Sequence, residues 1–472
     1  MDILLIFPPI REDDLPRNFP TGLGIIAQVL IDQGHNVRVL DINGNRWRRE
    51  EVERRIKNAS YDIAGIGGLI TVYNYTKWLI PILKKRNPKA PVIIGGSVGS
   101  SIPELILKKT EADIVVIGEG EETIKELITT LEAGGDLKDV NGIWFRDDGR
   151  ISKTAPREPI KDLDRIPFPC FDLFPMEVYL KNPVVGIGRD IDLITSRGCP
   201  HRCIYCYQIF GRTYRYHSVE YMIELIKLLK KRYRIDFVSF QEDCFVVNKE
   251  RVYRFCEELL RQRLKIKWSC TGRVNLVTED MLKKMKQAGC VSVSYGIESG
   301  SQEILDRMKK GVKVEQAYRA IRLTRKIGLR APTSFMLGTP GETKETIQET
   351  IDFCKSLNLP LQSIMFTTPY PGTPLYEEIK ENGLIKDEEG FIMGLGDALR
   401  FTINLTNFSD QELIHFQRSM VEEVMESYNK PNFLKEAFQG CRLYGPRLYL
   451  KGLIQSQGRA FKLHRKRHGF NE

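Results

Sequence analysis

Through the first 135 residues short apolar runs alternate with amphipathic stretches. The runs at 3–7, 36–40, 62–66, 92–95 and 113–117 read as strands, and the stretches at 22–32, 50–57, 75–84, 103–109 and 121–131 carry helical spacing. Continuous apolar strands separated by helices predict a parallel sheet covered on both faces. Residues 141–151 then read as a small hairpin that turns at Asp148-Gly149. The proline-rich stretch to about residue 185 reads as an extended linker between domains. Alternation resumes with strands at 191–195, 236–240, 266–269, 291–295, 333–337 and 363–367, each except the last followed by an amphipathic helix. Six such units predict a second α/β body. Beyond residue 386 no motif is found, but Ser409-Asp410-Gln411-Glu412 is a capped start for a helix running towards Tyr428.

In sheets of this kind ligands sit at the carboxyl ends of the strands, so the strand ends carry the chemistry. The densest is Arg197-Gly198-Cys199-Pro200-His201-Arg202-Cys203-Ile204-Tyr205-Cys206, entered from the strand at 191–195 with Ser196 read as loop. Three thiolates on one short loop hold three irons of a cubane and leave the fourth open for chemistry. The rival is zinc, which asks for a closed set of four ligands. The nearest later candidates, His217 and Cys244, bring no second Cys-x2-Cys or His-x3-His pair.

This cysteine spacing resembles the signature of the radical S-adenosylmethionine (SAM) superfamily. The resemblance implies a partial (β/α)6 barrel with a 4Fe–4S cluster on Cys199, Cys203 and Cys206, and SAM on its open iron. There one electron breaks the sulfonium bond to give a 5′-deoxyadenosyl radical. The other strand ends match the family's phrases: Gln241-Glu242-Asp243, Thr271-Gly272-Arg273, Tyr295-Gly296-Ile297-Glu298 and Gly338-Thr339-Pro340. By resemblance, Glu242 or Asp243 faces the SAM amino group, Arg273 pairs the carboxylate, Glu298 meets ribose or amino acid oxygens, Tyr205 lies beside adenine and Gly338 belongs to the same site. For Asp243 and Glu342 helix N-capping is the competing reading.

The first domain ends its strands in Gly67-Gly68-Leu69-Ile70-Thr71, Gly95-Gly96-Ser97 and Gly118-Glu119-Gly120-Glu121-Glu122-Thr123. Together with Pro20-Thr21-Gly22-Leu23-Gly24 and Gly34-His35-Asn36-Val37, these resemble the cobalamin-binding domain that precedes the radical SAM barrel in one subclass. That resemblance assigns Thr71, Gly95, Gly96, Ser97, Gly118, Glu119 and Gly120 to cobalamin. The Asp-x-His-x-x-Gly motif that supplies a cobalt ligand elsewhere is absent, and His35 is the only histidine before residue 200. Cobalamin is therefore expected without a histidine ligand.

Length and charge refine this reading. A chain of 472 residues with 42% hydrophobic content suits about three domains. We divide it into a flavodoxin-type Rossmann-like domain (1–150), a linker (151–185), the barrel (186–385) and a mainly helical region with a basic tail (386–472). All ten cysteines lie at or after Cys170, and those outside the loop are scattered, as in a reducing compartment. The apolar run at 3–7 is too short for a signal peptide, so a cytoplasmic protein is expected. Net charge is +10, of which the tail from Cys441 contributes +7. Apolar residues among these charges suggest membrane-surface contact through 441–468, at the inner membrane face; no nucleic-acid module accompanies them. The expected reaction is C-methylation of an unactivated carbon, with ring formation or rearrangement on a lipid-like or other small molecule as the alternative. Flavodoxin or ferredoxin is the expected electron donor. A methylthiotransferase would carry three more cysteines in its first domain, and a non-catalytic cobalamin protein would not need the cysteine loop.

Overall fold

The computed structural model describes residues 1–11, 18–181, 188–429, 440, 441, 443 and 444. The first sheet holds β1 (Asp2–Phe7), β2 (Asn36–Asp41), β3 (Ile63–Gly68), β4 (Val92–Gly95), β5 (Ile114–Val116), β6 (Ile143–Asp147) and β7 (Arg150–Lys153), in the order β2-β1-β3-β4-β5-β6-β7. β1 to β5 are parallel. Alternation along β1 shows why both faces are covered: Leu4 and Ile6 join the core beneath the helix Tyr73–Arg86, while Ile3 and Leu5 join the one beneath Thr21–Asp32 and Glu121–Ala133. The hairpin β6–β7 turns through Asp148 and Gly149, both with positive φ as a type I′ turn requires. It adds antiparallel to β5 and extends the sheet, which the sequence pattern did not show.

The second sheet is β8 (Asp190–Leu193), β11 (Phe237–Phe240), β12 (Lys267–Gly272), β13 (Cys290–Glu298), β14 (Thr333–Leu337) and β15 (Met365–Phe366), parallel and in sequence order. It is a half-barrel with helices on its outer side. Two expectations are corrected here. Ser196 is not in a loop: β9 (Ser196–Arg197) pairs antiparallel with β10 (Arg215–Tyr216), which brackets the cysteine loop. The sixth strand does have its helix, Pro374–Glu381, capped by Thr373 with proline in its first turn.

The linker is less extended than its prolines suggest. Phe171 and Phe174 pack their rings 5.0 Å from that of Phe19, and the helix Met176–Lys181 puts Tyr179 against the first domain, its hydroxyl donating to Asp41 Oδ2 at 2.7 Å. The helix Asp410–Ser427 forms with the expected Ser409–Glu412 capping box. Before it, the helix Glu388–Met393 returns to the first domain. Glu389 accepts from Tyr73 Oη (2.9 Å) and Lys77 Nζ (2.6 Å), and Ile392 and Leu395 enter the first domain's core. Among the described residues no helix is long and apolar enough to cross a membrane. Of the tail read as membrane-seeking, only Cys441, Leu443 and Tyr444 are described; Tyr444 is buried against Phe237 and Val291, and the rest lies outside the described residues.

Ile392 is 1% exposed, and truncating a buried isoleucine costs about 2–5 kcal/mol. Ile392→Ala should therefore lower the urea midpoint and expose the first domain to limited proteolysis.

Candidate active site

Cys199 and Cys203 are buried and Cys206 half-buried, all three as free thiols. The loop that carries them leaves β9 through Gly198, whose φ is +82° and whose added Cβ would collide with Thr213 O; no other residue fits between the two arms. The thiols feel one another: burial, then the charges of Asp243, Cys203 and Cys199, push Cys206 up to about 12. Among the described residues no three Cys, His, Asp or Glu side chains converge on a single ion. A cubane does not ask for convergence, since each thiolate takes its own iron. Unpartnered donors and acceptors surround the loop. Arg273 Nη1 is 4.0 Å from Cys203 Sγ, and its buried Nε, like His201 Nε2, has no hydrogen-bond partner. The residues present fit a cluster with a polar ligand beside it.

The assigned SAM residues separate into two groups. Arg273, Asp243, Tyr205 and Glu298 lie at the loop. Asp243 stands at the barrel mouth with part of its surface in solvent, and burial of its carboxyl, then the charge of Glu242, holds its pKa up. Glu298 has a left-handed backbone (φ +70°) at an irregular register step in β13, a strained conformation for glutamate. It accepts from Lys310 Nζ at 2.8 Å and from Tyr205 Oη at 3.2 Å, and Lys310 also donates to Tyr205 Oη at 2.9 Å. Lys310 was not legible in the sequence, because it lies in a loop past β13. Glu242 is placed otherwise. Its fully buried carboxylate accepts from Thr195 N (2.8 Å) and from the hydroxyls of Thr195 and Ser196, with Arg251 Nη1 3.6 Å away. It braces the entry to the loop, both of its oxygens already accepting from that strand. Neither Asp243 nor Glu342 caps a helix: Asn248 and Thr343 do so. Glu342 instead accepts from the N–H groups of Gly338 and Thr339, shaping the turn after β14.

At the ligand end of the first sheet, a Cβ on Gly95 or Gly118 would meet nothing within 4 Å, which leaves open space over the strand ends. Leu69 stands 49% exposed beside them, and Thr71 Oγ1 is buried without a partner. Gly96 has a different reason: its Cβ would press on Gly68 O at 2.8 Å, so it is glycine for strand contact. Ser97 Oγ donates to Gly68 O at 3.4 Å, Gly118 N donates to Ser100 Oγ at 2.9 Å, and Gly120 precedes the helix Glu121–Ala133. Glu119 faces the barrel. Its Oε1 lies 2.7 Å from Arg215 Nη2 and 3.3 Å from Arg197 Nη1, and its Oε2 accepts from Ile160 N at 2.6 Å. Burial works to raise its pKa, but Arg215, Arg197 and the Ile160 N–H outweigh it and hold the carboxyl below its usual range. Glu121 pairs with the same Arg197, its Oε2 3.3 Å from Nη1. Two further contacts cross here: Asn18 Nδ2 donates to Asp192 Oδ2 at 2.5 Å, and the hydroxyl of Tyr207, next to Cys206, lies beside Ser101 and Ser100. The two ligand ends therefore face each other.

Fold and site together define an iron–sulfur barrel joined to a sheet with room for a large flat ligand. The Radical SAM superfamily model matches residues 193–354 and the B12 binding domain model residues 17–128. An uncharacterised methyltransferase of Pyrococcus horikoshii is 35% identical over 393 residues, covering 82% of this chain and 84% of that one. An anaerobic magnesium-protoporphyrin IX monomethyl ester cyclase of Rubrivivax gelatinosus is 28% identical over 406 residues, 83% of this chain and 72% of that one. The radical SAM methyltransferase TsrM of Kitasatospora setae, solved with cobalamin and a 4Fe–4S cluster, shares the fold with a TM-score of 0.73 over 98% of this chain and 99% of that one, at 16% identity. The chain belongs to the radical SAM superfamily, in the division that carries an N-terminal B12-binding domain. The expected cofactors, a 4Fe–4S cluster, SAM and cobalamin, are those of this family.

Burial raises Glu342 to about 7, although the Gly338 and Thr339 N–H groups pull it down. The folded chain then keeps a proton that the unfolded chain releases near pH 4.5, so this group's contribution to stability falls as pH rises from 4.5 to 7, by roughly 3 kcal/mol over the window. Glu342→Gln should remove that slope, read as the difference between variant and wild-type urea midpoints across the window.

Proposed function

We propose that the protein is a cytoplasmic methyltransferase that places a methyl group on an unactivated carbon of a small molecule held between the first domain and the barrel. The observation that carries this reading is the opposition of the two ligand ends across Arg197, Asn18 and Tyr207. When bound, the cluster and SAM supply the radical and cobalamin the methyl group. The protein's share is placement and exclusion of water. Cys199, Cys203 and Cys206 hold the cluster. Arg273, beside Cys203, pairs the SAM carboxylate, and Asp243 at the mouth takes its ammonium. Tyr205, held by Lys310 and Glu298, forms the wall for adenine. Gly95 and Gly118 clear space for the corrin face. A small reductase such as flavodoxin or ferredoxin supplies the electron. The relative that closes a ring supports cyclisation as the second reading.

Protein purified without oxygen should be brown, carry about four irons and cleave SAM on reduction. Cys203→Ala should lose both iron and cleavage, whereas stoichiometric zinc without iron would overturn the assignment.

Cobalamin should bind without histidine ligation. His35 lies at the other end of the first sheet, its Nδ1 3.4 Å from the amino terminus and 3.5 Å from Glu132. The absorption spectrum of bound cobalamin should be the same in His35→Ala as in wild type, and a shift in the corrinoid bands would count against the reading.

A further inference from the structure

Barrel interiors are ordinarily filled by branched apolar residues. Here the inner face of the first four strands is polar between Phe237 and the mouth. Ile191, Val238, Trp268 and Val293 pack with the outer helices, so the residues that alternate with them point into the barrel. Strand register sets four of these side by side: Asp192 opposite Ser239, Ser239 opposite Ser269, Ser269 opposite Ser292. They form a polar belt across four strands. Asp192 and Ser239 are 8% and 1% exposed, so the belt lies deep. One step nearer the mouth Thr271 stands opposite Ser294, both partly exposed, with an exposed Gln241 beside them. The inner face of these strands is thus hydrogen-bonding from the belt to the mouth.

Asp192 is the charged member of that floor. It accepts from Asn18 Nδ2 at 2.5 Å, and the Gln241 side chain is near enough to pull its pKa down. Both are neutral amides, and a buried carboxylate whose partners among the described residues are amides alone is costly unless a further donor completes its shell. Burial holds it up to about 7, against the pull of the two amides, so a donor placed on it would draw it into the ionised form. Asn18 comes from the loop that follows β1, at the ligand end of the first domain. Asp192 therefore lies at the junction of the two ligand ends.

An alkyl chain laid on this floor would offer its carboxylate and hydroxyls no hydrogen-bond partner. We propose that the belt is the substrate floor and that the substrate is a small polar molecule presenting a hydrogen-bond donor, a protonated amine or a hydroxyl, to Asp192. This rests on the methyl-transfer reading and sets aside the lipid-like substrate.

The test uses full-length protein reconstituted with iron, sulfide and cobalamin, supplied with methyl-labelled SAM and reductant. The probes are the water-soluble and the chloroform-soluble extracts of cells that express the chain. Label should enter water-soluble material, and Asp192→Asn should lose it at least tenfold with iron and corrinoid contents as in wild type. Ser269→Val, which puts a methyl group in the floor, should lose it comparably and covers the case in which the first variant fails to fold. Acetylating the amines of the extract abolishes labelling for an amine donor and spares it for a hydroxyl. Label in chloroform-soluble material, or equal labelling by both variants and wild type, overturns the proposal while leaving methyl transfer intact. SAM cleavage to 5′-deoxyadenosine with label in neither extract overturns methyl transfer itself, and the floor assignment with it.

Discussion

Two arginines of one domain buried against two glutamates of the other form the interaction on which the active site depends. Arg197 and Arg215 lie on the two-stranded ladder that brackets the cysteine loop; Glu119 and Glu121 lie at the turn after β5 and the start of the helix beyond it. All four side chains are 7–8% exposed. Buried charges of this kind are weak as sources of stability, but stripping one partner costs about 3–5 kcal/mol because its opposite is left uncompensated. The set is thus satisfied in one arrangement of the domains. That arrangement puts the cysteine loop opposite the open strand ends of the first sheet.

The same economy appears within the barrel. Arg273 and Lys310 bring positive charge to the thiols, and Lys310 is itself held by Glu298 in its strained backbone. Strain of that order is tolerated where surrounding contacts over-determine a residue. Glu242, bonded to Thr195 and Ser196, braces the strand that leads to the loop. The charged groups around the cluster thus divide into those that hold the loop and those left with unpaired atoms facing it.

Most of the fold was legible in the sequence, because apolar periodicity and strand-end glycines report local geometry directly. The cysteine spacing and the Asp148-Gly149 turn are cases where a few residues suffice. What escaped depends on pairs distant along the chain. Glu119 is assigned to cobalamin by the resemblance of its loop; the partners that hold it, Arg197 and Arg215, are 78 and 96 residues away and could not be read from that loop. Glu242 matched a family phrase, yet its position inside the strand bundle turns it towards Thr195. Ser196 and Arg197 were too short a run to read as strand. Lys310 and Ile392 have no local pattern that marks them, since each acquires its role from a surface formed elsewhere.

The return of residues 388–395 to the first domain bears on modularity. Ile392 and Leu395 complete a core whose other members all precede residue 116, so the cobalamin-binding unit is closed by chain that is synthesised only after the whole barrel. The part of its apolar surface that they cover stays open until the barrel has been synthesised. The unit is therefore not a portable cassette, and grafting it onto another barrel would require its distant closing segment as well.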